Sequence, residues 1–323
     1  MIPFVRKVLC GLACMASFSL AGPAWAAYPE QSIKLVVPWP PGGSADAVGR
    51  HLAFVLSNAL GQTVYVENAA GASGSIGTAS FARSQPDGYT LLLATSTTNA
   101  AVPSLMAKLP FHPVTDFSPI SLAAVAPSVL IVSANAPYKS VKDLVDAAKA
   151  APGKFSYGSG GNGNSSHLSA ALFTSATGIE ATHIPYKGNA LASVDLLGGQ
   201  IDFMFDNNPV AMVKGGKVRA LATTGDQRTA ALPDVPTFKE LGWPGIYLTT
   251  WFGLAAPKGT PPTVVEKVHS ALVEGLKKAD AGKRLQDLGF DVKTQSPTEF
   301  QAFWKAEIER YRALVKLSGA KAE

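Results

Sequence analysis

Two glycine-rich segments contain the residue types best suited to holding an anion. The first covers residues 38–43 (Pro-Trp-Pro-Pro-Gly-Gly) and the second covers residues 158–163 (Gly-Ser-Gly-Gly-Asn-Gly). Each segment lies between a predicted strand and a predicted helix. Amide N–H groups at the start of a helix have no partner within the helix and carry the positive end of its dipole. Both segments therefore predict a site for a carboxylate or a phosphate.

Small polar residues follow both segments. Ser44 and Asp46 follow the first segment, and Asn164, Ser165 and Ser166 follow the second. Such residues also cap helices, because their side chains accept hydrogen bonds from the unpaired backbone amides in the first turn of a helix. A cap needs only one such residue, so ligand binding and capping are about equally open interpretations of each cluster.

Polar residues also follow predicted strands, at the edge of a sheet where ligands collect. Asp206 and Asn207 follow one apolar run, and Thr95, Ser96 and Thr97 end another. Asp206 could meet an ammonium or hydroxyl group of a ligand, or it could cap the next helix. The hydroxyl groups of Thr95, Ser96 and Thr97 could reach a ligand or satisfy the loop backbone. We expect Asn207 to lie just behind the ligand contacts.

Three aromatic residues and one histidine are further candidates for the site. Tyr186 and Trp251 belong to residue types that pack in a protein core more often than they line a ligand site. Trp39 differs because it lies inside the first glycine-rich segment, where its ring could cover amides that have no hydrogen-bond partner. His167 lies just inside the helix that follows the second segment. We expect it to support the loop from behind.

The sequence argues against the common cofactor and enzyme signatures. Residues 158–163 match the dinucleotide pattern Gly-x-Gly-x-x-Gly, but Glu180 precedes the next predicted strand, whereas a ribose-binding acid ends it. Serine-hydrolase, zinc-protease and Walker motifs are missing, and the five histidines lack metal-ligand spacing. We therefore expect no cofactor, no metal and no catalytic residue. The alternative function is that of an exported enzyme acting on a small organic acid. Asp206 and His167 are the one pair of residues that could carry out its catalysis.

The start of the chain has the pattern of a secretory signal peptide. Arg6 and Lys7 precede the apolar run 8–20, and Ala24-Trp25-Ala26 forms a cleavage site, so we predict a signal peptide over residues 1–26 that is cut after Ala26. The run is shorter than the ~20 residues of a spanning helix. Both cysteines lie in this leader, which leaves the mature chain without a thiol. These features predict export to the periplasm.

Composition excludes several classes of protein. The chain has 323 residues, of which 47% are hydrophobic and 16% charged, which suits a globular protein of up to two domains and not a disordered one. Its 28 lysines and arginines face 23 acidic residues and form no basic cluster. We therefore expect no nucleic-acid partner and no polybasic membrane segment.

Apolar runs of strand length alternate with amphipathic stretches, which predicts an α/β fold with a largely parallel sheet. Strands are predicted at 33–37, 64–67, 89–95, 120–125, 129–132, 155–157, 182–186, 201–205 and 218–223. Helices are predicted from about 46 to a stop at Gly61, at 74–83, at 141–149, from about 165, at 190–197, at 209–213 and over most of the chain after residue 262. The two glycine-rich segments suggest two α/β lobes that face each other across a ligand cleft.

An ordered set of motifs along the mature chain resembles a known family. The motifs are Val37-Pro38-Trp39-Pro40-Pro41-Gly42-Gly43-x-x-Asp46, Asn68-x-x-Gly71-x-x-Gly74, Pro86-Asp87-Gly88-Tyr89-Thr90-Leu91-Leu92, Tyr157-Gly158-Ser159-x-x-Asn162-Gly163, Pro185-Tyr186-Lys187-Gly188 and Trp251-Phe252-Gly253-Leu254. Together they look like the Bug-type (TctC-like) solute receptors of tripartite tricarboxylate transporters. The similarity covers essentially the whole mature chain.

The resemblance implies a type II-like, two-lobed periplasmic binding protein with a hinge and a ligand cleft between the lobes. Lobe one would hold residues 27–126 plus 250–323, and lobe two residues 127–249. In this family, backbone amides, hydroxyl groups and bridging waters hold a carboxylate. By position, the contacts would come from Pro41, Gly42, Gly43, Ser44 and Asp46 on one side and Ser159, Gly160, Asn164, Ser165 and Ser166 on the other, with Thr95, Tyr186, Asp206 and Trp251 lining the remainder.

The resemblance leaves the solute and the partner open. A dicarboxylate, an acidic amino acid or an aromatic acid would each suit a carboxylate site, and Trp39 mildly favours a flat or apolar body. Trp39 stands where Phe or Tyr is common, Asn164 where Ser or Thr is common, and Ala171 where an acidic residue is expected. The partner would be an integral membrane permease or the ectodomain of a sensor kinase. We expect a monomer.

Overall fold

The computed structural model describes residues 28–106 and 108–321. The predicted signal peptide, its cleavage site at Ala26 and both cysteines lie outside these residues. No helix within the described ranges is both long enough and apolar enough to cross a membrane.

Strands and helices alternate along most of the chain, as the sequence predicts. The strands are β1 (Ile33–Val37), β2 (Val64–Asn68), β3 (Thr90–Thr95), β4 (Phe117–Pro127), β5 (Val129–Ser133), β6 (Phe155–Ser159), β7 (Ala181–Pro185), β8 (Phe203–Asp206), β9 (Val218–Thr223), β10 (Thr249–Pro257) and β11 (Asp291–Val292). The α-helices are α1 (Ser44–Leu60), α2 (Ser75–Ala82), α3 (Val102–Leu105), α4 (Val141–Ala150), α5 (Ser165–Thr177), α6 (Asn189–Leu197), α7 (Val210–Lys214), α8 (Pro262–Lys277), α9 (Ala279–Asp287) and α10 (Pro297–Ser318).

The strands form two sheets, one in each of two α/β lobes. The first has the order β11-β4-β10-β3-β1-β2 and the second has the order β7-β6-β8-β5-β9. The predicted two-lobed α/β class is therefore confirmed. The prediction of a largely parallel sheet is wrong, because β10 runs antiparallel to β3 and β4, and β5 runs antiparallel to β8 and β9. Parallel pairs occur where strand–loop–helix units repeat, as for β1 with β2 and β6 with β7.

The chain passes between the two sheets at two neighbouring places. It leaves the first sheet after β4 at Ser128 and returns to it through β10. Thr224 joins the two passages, because its Oγ1 accepts a hydrogen bond from the Ser128 amide at 2.8 Å and donates one to the Leu248 carbonyl oxygen at 2.5 Å. Hinges are formed by a few residues in loops or at the ends of elements, and both crossings are of this kind. The lobe boundaries near residues 126 and 249 stay a prediction.

Each sheet has its own apolar core. In the first lobe, Trp304 and Tyr311 of α10 are buried beside Trp251 of β10. The same cluster includes Leu168 of α5, so α10 also packs on the helix that follows the second glycine-rich segment. In the second lobe, Phe173 packs on the buried strand β8. The strands that precede the two glycine-rich segments, β1 and β6, are themselves mostly buried.

Candidate functional site

A cavity of about 380 Å³ lies between the two sheets. This volume falls within the ~300–1,000 Å³ of small-molecule pockets. The residues that line it come from both lobes. They are Trp39, Pro40, Pro41, Gly43, Ser44, Ala45, Thr95, Thr97, Thr250 and Phe252 from the first, and Asn164, Ser165, Lys187, Gly188, Asn189, Ala190, Leu191 and Asn207 from the second. Both glycine-rich segments therefore meet at one cavity.

Two helices begin at this cavity, one from each sheet. α1 begins at Ser44 after Gly43, which has φ −91° and offers no side-chain cap. α5 begins at Ser165, where the Asn164 side chain accepts a hydrogen bond from the His167 amide at 3.0 Å. In the described part of the chain, the first amides of both helices, residues 43–45 and 165–166, make no hydrogen bond. We call these two groups of amides the helix starts; they place unpaired donors and the positive ends of two helix dipoles around one space.

The Asp46 side chain fixes the first glycine-rich segment from behind. Its carboxylate accepts hydrogen bonds from the Gly42 amide at 3.0 Å, from Arg50 Nε at 2.9 Å and from Asn68 Nδ2 at 3.0 Å. Asn68 Nδ2 also donates to the Trp39 carbonyl oxygen at 3.0 Å. Burial alone would raise the pKa of Asp46, but these hydrogen bonds outweigh it and hold the pKa below its usual value. Asp46 and Gly42, both predicted as ligand contacts, lie outside the cavity lining because they bond to each other.

Glycines of the family motifs allow close approach around both segments. Gly74 has φ +86°, and a Cβ there would lie 2.8 Å from the Pro38 carbonyl oxygen. Gly163 has φ +70°, and a Cβ there would lie 2.2 Å from Cδ1 of Leu105 in α3. A side chain at either position would displace a glycine-rich segment or the element that packs on it.

The Trp39 indole forms a wall of the cavity and has a fixed orientation. Its Nε1 donates to Thr95 Oγ1 at 3.3 Å, and the Thr95 amide donates to Asn99 Oδ1 at 3.0 Å. Thr95 Oγ1 also lies 3.0 Å from Thr98 Oγ1. A buried polar cluster at the end of β3 thus holds the aromatic ring against the cavity.

The second glycine-rich segment is held by side-chain hydrogen bonds behind the cavity wall. The Gly160 amide donates to Ser166 Oγ at 3.0 Å, and Ser166 Oγ donates to Asn164 Oδ1 at 2.7 Å. Ser159 Oγ lies 2.6 Å from His183 Nε2. Ser159, Gly160 and Ser166, predicted as ligand contacts, therefore lie outside the cavity lining, with their polar groups engaged in the loop itself.

Two stacked histidines support this segment. The rings of His167 and His183 are 3.9 Å apart at 12°, and Tyr157 stacks on His183 at 5.0 Å. His167 Nδ1 accepts a hydrogen bond from the Gly163 amide at 3.0 Å. Burial, together with the neighbouring His183, lowers the pKa of His167 to about 3, and burial lowers the pKa of His183 to about 4. Both rings are neutral near neutral pH, where His167 can accept this hydrogen bond.

The buried pair predicts how stability changes with pH. An unfolded histidine titrates near pH 6.5, so below that pH the unfolded chain binds protons that the folded protein does not bind. The stabilisation is complete above about pH 6.5, and the free energy of unfolding should fall by up to ~1.4 kcal/mol per pH unit for each histidine as the pH decreases towards 4. Urea unfolding at pH 7, 6 and 5 measures this slope, which should be shallower in His183→Gln. A wild-type free energy that is constant from pH 7 to 5 would contradict the assignment.

Four other predicted contacts lie away from the cavity lining for separate reasons. The Asp206 carboxylate is buried and accepts a hydrogen bond from Nδ2 of Asn189, which itself lines the cavity, at 3.0 Å. Burial raises the pKa of Asp206. The Tyr186 hydroxyl donates to Asp195 at 2.6 Å. Trp251 packs edge-on against the core ring of Phe300 at 5.8 Å. The fourth residue, Ser96, is fully buried at the end of β3.

The cavity combines predicted residues with residues that the sequence analysis did not single out. The candidate contacts that line it are Trp39, Pro41, Gly43, Ser44, Thr95, Thr97, Asn164 and Ser165. Asn207, which we expected just behind the contacts, lines the cavity itself. Ala171 is buried within α5 and does not line it. Lys187 and its neighbours up to Leu191 were missed, although the motif Pro185-Tyr186-Lys187-Gly188 could have indicated them. Thr250 and Phe252 were missed because β10 was not predicted as a strand.

Asn207 connects the cavity to the crossing between the lobes. Ser165 Oγ donates to Asn207 Oδ1 at 2.9 Å, and Asn207 Nδ2 donates to Ser128 Oγ at 3.0 Å. Ser128 in turn bonds to Thr224 of the second crossing. A continuous series of buried hydrogen bonds therefore runs from the start of α5 to both chain crossings.

Two α/β lobes with a cavity at the carboxyl ends of their strands define the class of two-lobed periplasmic binding proteins. The sequence matches the family described as "Tripartite tricarboxylate transporter family receptor" (TctC) over residues 48–320. The chain belongs to this family of periplasmic solute-binding receptors, which is a family of binding proteins. The resemblance stated from the sequence motifs is confirmed.

Solved structures of similar proteins extend over nearly the whole chain. The periplasmic binding protein BugD is 38% identical, with a TM-score of 0.85, and the match covers 92% of this chain and 100% of BugD. An adipate-bound protein of R. palustris is 33% identical, with a TM-score of 0.87 and coverage of 91% and 99%. The malate-bound MatC of Rhodopseudomonas palustris is 31% identical, with a TM-score of 0.82 and coverage of 89% and 100%.

Proposed function

We propose that the protein captures a small carboxylated solute between its lobes and delivers it to a tripartite tricarboxylate-type membrane permease. The two helix starts support this proposal most directly. Their amides are unpaired in the described part of the chain, they belong to different lobes, and residues 43–45 of the first and Ser165 of the second line the same cavity. Unpaired amides in a partly enclosed space bind a carboxylate through charge-assisted hydrogen bonds.

The division of donors between two lobes suggests how binding closes the cleft. Each lobe supplies only some of the amides, so the solute makes its full set of hydrogen bonds only when the lobes are close together. A ligand shifts a conformational equilibrium by its difference in affinity for the two states. The hydrogen bonds from Ser165 through Asn207 to Ser128 would connect solute binding with the hinge. A closed receptor would then present a new surface to the permease.

The bound relatives and the site chemistry support a carboxylate ligand and a non-catalytic role. Adipate and malate, the ligands of the two R. palustris proteins, both carry carboxylates. The candidate catalytic pair, Asp206 and His167, engages separate partners: Asp206 bonds to Asn189, and His167 accepts from Gly163. No hydrogen bond joins the two side chains within the described residues, which favours a receptor over an enzyme.

A thermal-shift screen of the mature chain, from Ala27 onward, tests this proposal. The protein is unfolded and refolded to remove carried-over solute and is then mixed with mono- and dicarboxylates, amino acids and aromatic acids. A ligand at a hundred times its Kd stabilises the folded protein by ~2.7 kcal/mol, which raises the Tm by several degrees. We expect stabilisation by at least one acid and none by its neutral amide. A folded protein that no carboxylate stabilises would contradict the proposed function.

A further inference from the structure

The two lobes touch at a place that is separate from both the large cavity and the chain crossings. Leu105, the last residue of α3, packs on Gly163 of the second glycine-rich segment, where a Cβ would lie 2.2 Å from the leucine Cδ1 and 3.0 Å from its Cγ. Leu105 and Asn162 also line a second, small cavity of about 30 Å³. Neither Leu105 nor Gly163 lines the large cavity.

A second part of this contact joins α5 to the core of the first lobe. Leu168 of α5 is 1% exposed and belongs to the apolar cluster of the first lobe. Leu172, one turn further along α5, packs against the cores of both lobes. We call Leu105 with Gly163, and Leu168 and Leu172 with the first core, the lobe contact.

The lobe contact flanks the second helix start on both sides. Gly163 precedes Ser165 by two residues, and Leu168 follows it by three. The second helix start therefore cannot move away from the first lobe unless these groups lose their packing and become accessible to water, which is unfavourable for apolar surface. Apolar burial thus favours the separation of the two helix starts that the structure shows, independently of any solute.

One continuous helical segment connects the lobe contact with the large cavity. The five-residue π-helical turn Thr97–Ala101 continues directly into α3, which ends at Leu105. Thr97 lines the large cavity, and the Asn99 carbonyl oxygen accepts a hydrogen bond from Trp304 Nε1 of α10 at 3.1 Å. This segment is therefore fixed to α10, with the cavity at one end and the second glycine-rich segment at the other.

We propose that Leu105 is a positioning residue of the receptor, which holds the second helix start close to the first lobe before a solute binds. The inference rests on the proposed function, in which the solute bonds to both helix starts. When only a fraction of a receptor has the binding-competent arrangement, its affinity is reduced by that fraction. Loss of the lobe contact should therefore weaken solute binding, although Leu105 does not line the cavity.

Spin labels on the mature chain measure the separation of the lobes directly. Both cysteines lie in the predicted signal peptide, so Ala70→Cys and Val194→Cys introduce the only thiols. Ala70 is exposed and follows β2 in the first lobe, and Val194 is exposed on α6 in the second. For the solute-free protein we expect one main distance, and for Leu105→Ala an additional, longer distance. Leu105→Met keeps the apolar volume and should retain the wild-type distance.

Calorimetric titration of the unlabelled variants with the best solute of the screen measures the effect on binding. Leu105→Ala should lower the affinity about fivefold, and Leu105→Met by less than about twofold. Leu60→Ala is the matched control, because Leu60 is a half-buried leucine of the first lobe and lies about 24 Å from the start of α1. This control should keep the wild-type distance and affinity.

Two glycines at the ends of α5 separate the effect of the contact from that of backbone strain. Gly163 has φ +70° and Gly178 has φ +69°, but an added Cβ meets Leu105 at the first position and nothing within 4 Å at the second. Gly163→Ala should therefore weaken binding and lengthen the distance between the lobes more than Gly178→Ala does. Equal effects of the two substitutions would overturn the role of the contact.

The outcomes for Leu105→Ala separate this inference from the proposed function. An unchanged distance distribution or an unchanged affinity would overturn the inference. Tighter binding would overturn it as well, because the contact would then hold the helix starts apart. A wild-type protein that binds none of the carboxylates tested would contradict the proposed function, whereas the solute-free distances would still decide whether the lobe contact sets the separation of the lobes.

Discussion

Replacing Gly43 by proline should weaken solute binding by at least about tenfold and leave the fold intact. Proline removes the amide hydrogen at the first helix start, and a hydrogen bond to a charged acceptor contributes ~1.5–3 kcal/mol. The backbone tolerates the change, because Gly43 has φ −91°, close to the region that proline adopts. A Cβ at this position meets nothing within 4 Å. The Gly43 amide makes no hydrogen bond within the described residues, so folding loses none.

Gly43→Ala is the matched control, since it adds a Cβ and keeps the amide. Its affinity should stay within a few-fold of the wild-type value, as measured by titration with the best solute of the screen. An equal loss of affinity in both variants would point to crowding of the cavity. Wild-type affinity in Gly43→Pro would contradict the role of the first helix start.

Replacing Asp46 by alanine should reduce both stability and affinity, although Asp46 does not line the cavity. The carboxylate accepts from the Gly42 amide and from Asn68, and Asn68 also holds the Trp39 carbonyl oxygen. Gly42 is exposed and Asn68 is half-buried, so water can replace part of the lost acceptor, and we expect a loss of about 1–2 kcal/mol in the free energy of unfolding. Affinity should fall as well, because the segment that presents the Gly43 amide is no longer fixed. Urea unfolding and calorimetric titration measure the two losses.

Asp146→Ala provides the control for the Asp46 variant. Both aspartates pair with a basic residue four positions away on a helix, but the Asp146–Lys142 pair is exposed on both sides. Removing such a surface pair changes stability by no more than about 0.5 kcal/mol. If Asp46→Ala behaves like this control, and its affinity is unchanged, then the network behind the first segment does not organise the site.

The sequence predicts those parts of the fold whose signals are local. The run Ile33–Val37 followed by Pro and Gly residues predicts a buried strand and a loop, and Gly61 correctly predicts the end of α1, where it adopts φ +69°. The predicted start near Asp46 is two residues late. Helix α5 begins at Ser165 as predicted, because Asn164 provides a strong cap signal.

The parts that were missed depend on contacts between distant residues. β10 has almost every residue buried, so it lacks the alternation that marks a half-exposed strand. Its partners, β3 and β4, precede it by more than 100 residues, and this pairing makes the first sheet mixed. The five-residue π-helical turn Thr97–Ala101, which brings Thr97 to the cavity, has no local sequence signal that we can identify.

The candidate site was predictable in its backbone and less so in its side chains. Glycine-rich segments before helices indicate free amides whatever the side chains do, and both helix starts contribute residues to the cavity lining. The direction of a polar side chain depends on its partner. The Asp46 side chain accepts a hydrogen bond from Asn68, and the Tyr186 hydroxyl donates one to Asp195. Sequence position alone therefore could not separate residues that line the cavity from residues that support it.

The structure of the refolded protein in complex with the most strongly stabilising acid tests the central claim most directly. The account predicts a carboxylate between the two helix starts, with its oxygens about 2.7–3.2 Å from an amide nitrogen of residues 43–45 and from one of residues 165–166. A solute whose carboxylates contact neither helix start, or that binds outside the cavity, would contradict it.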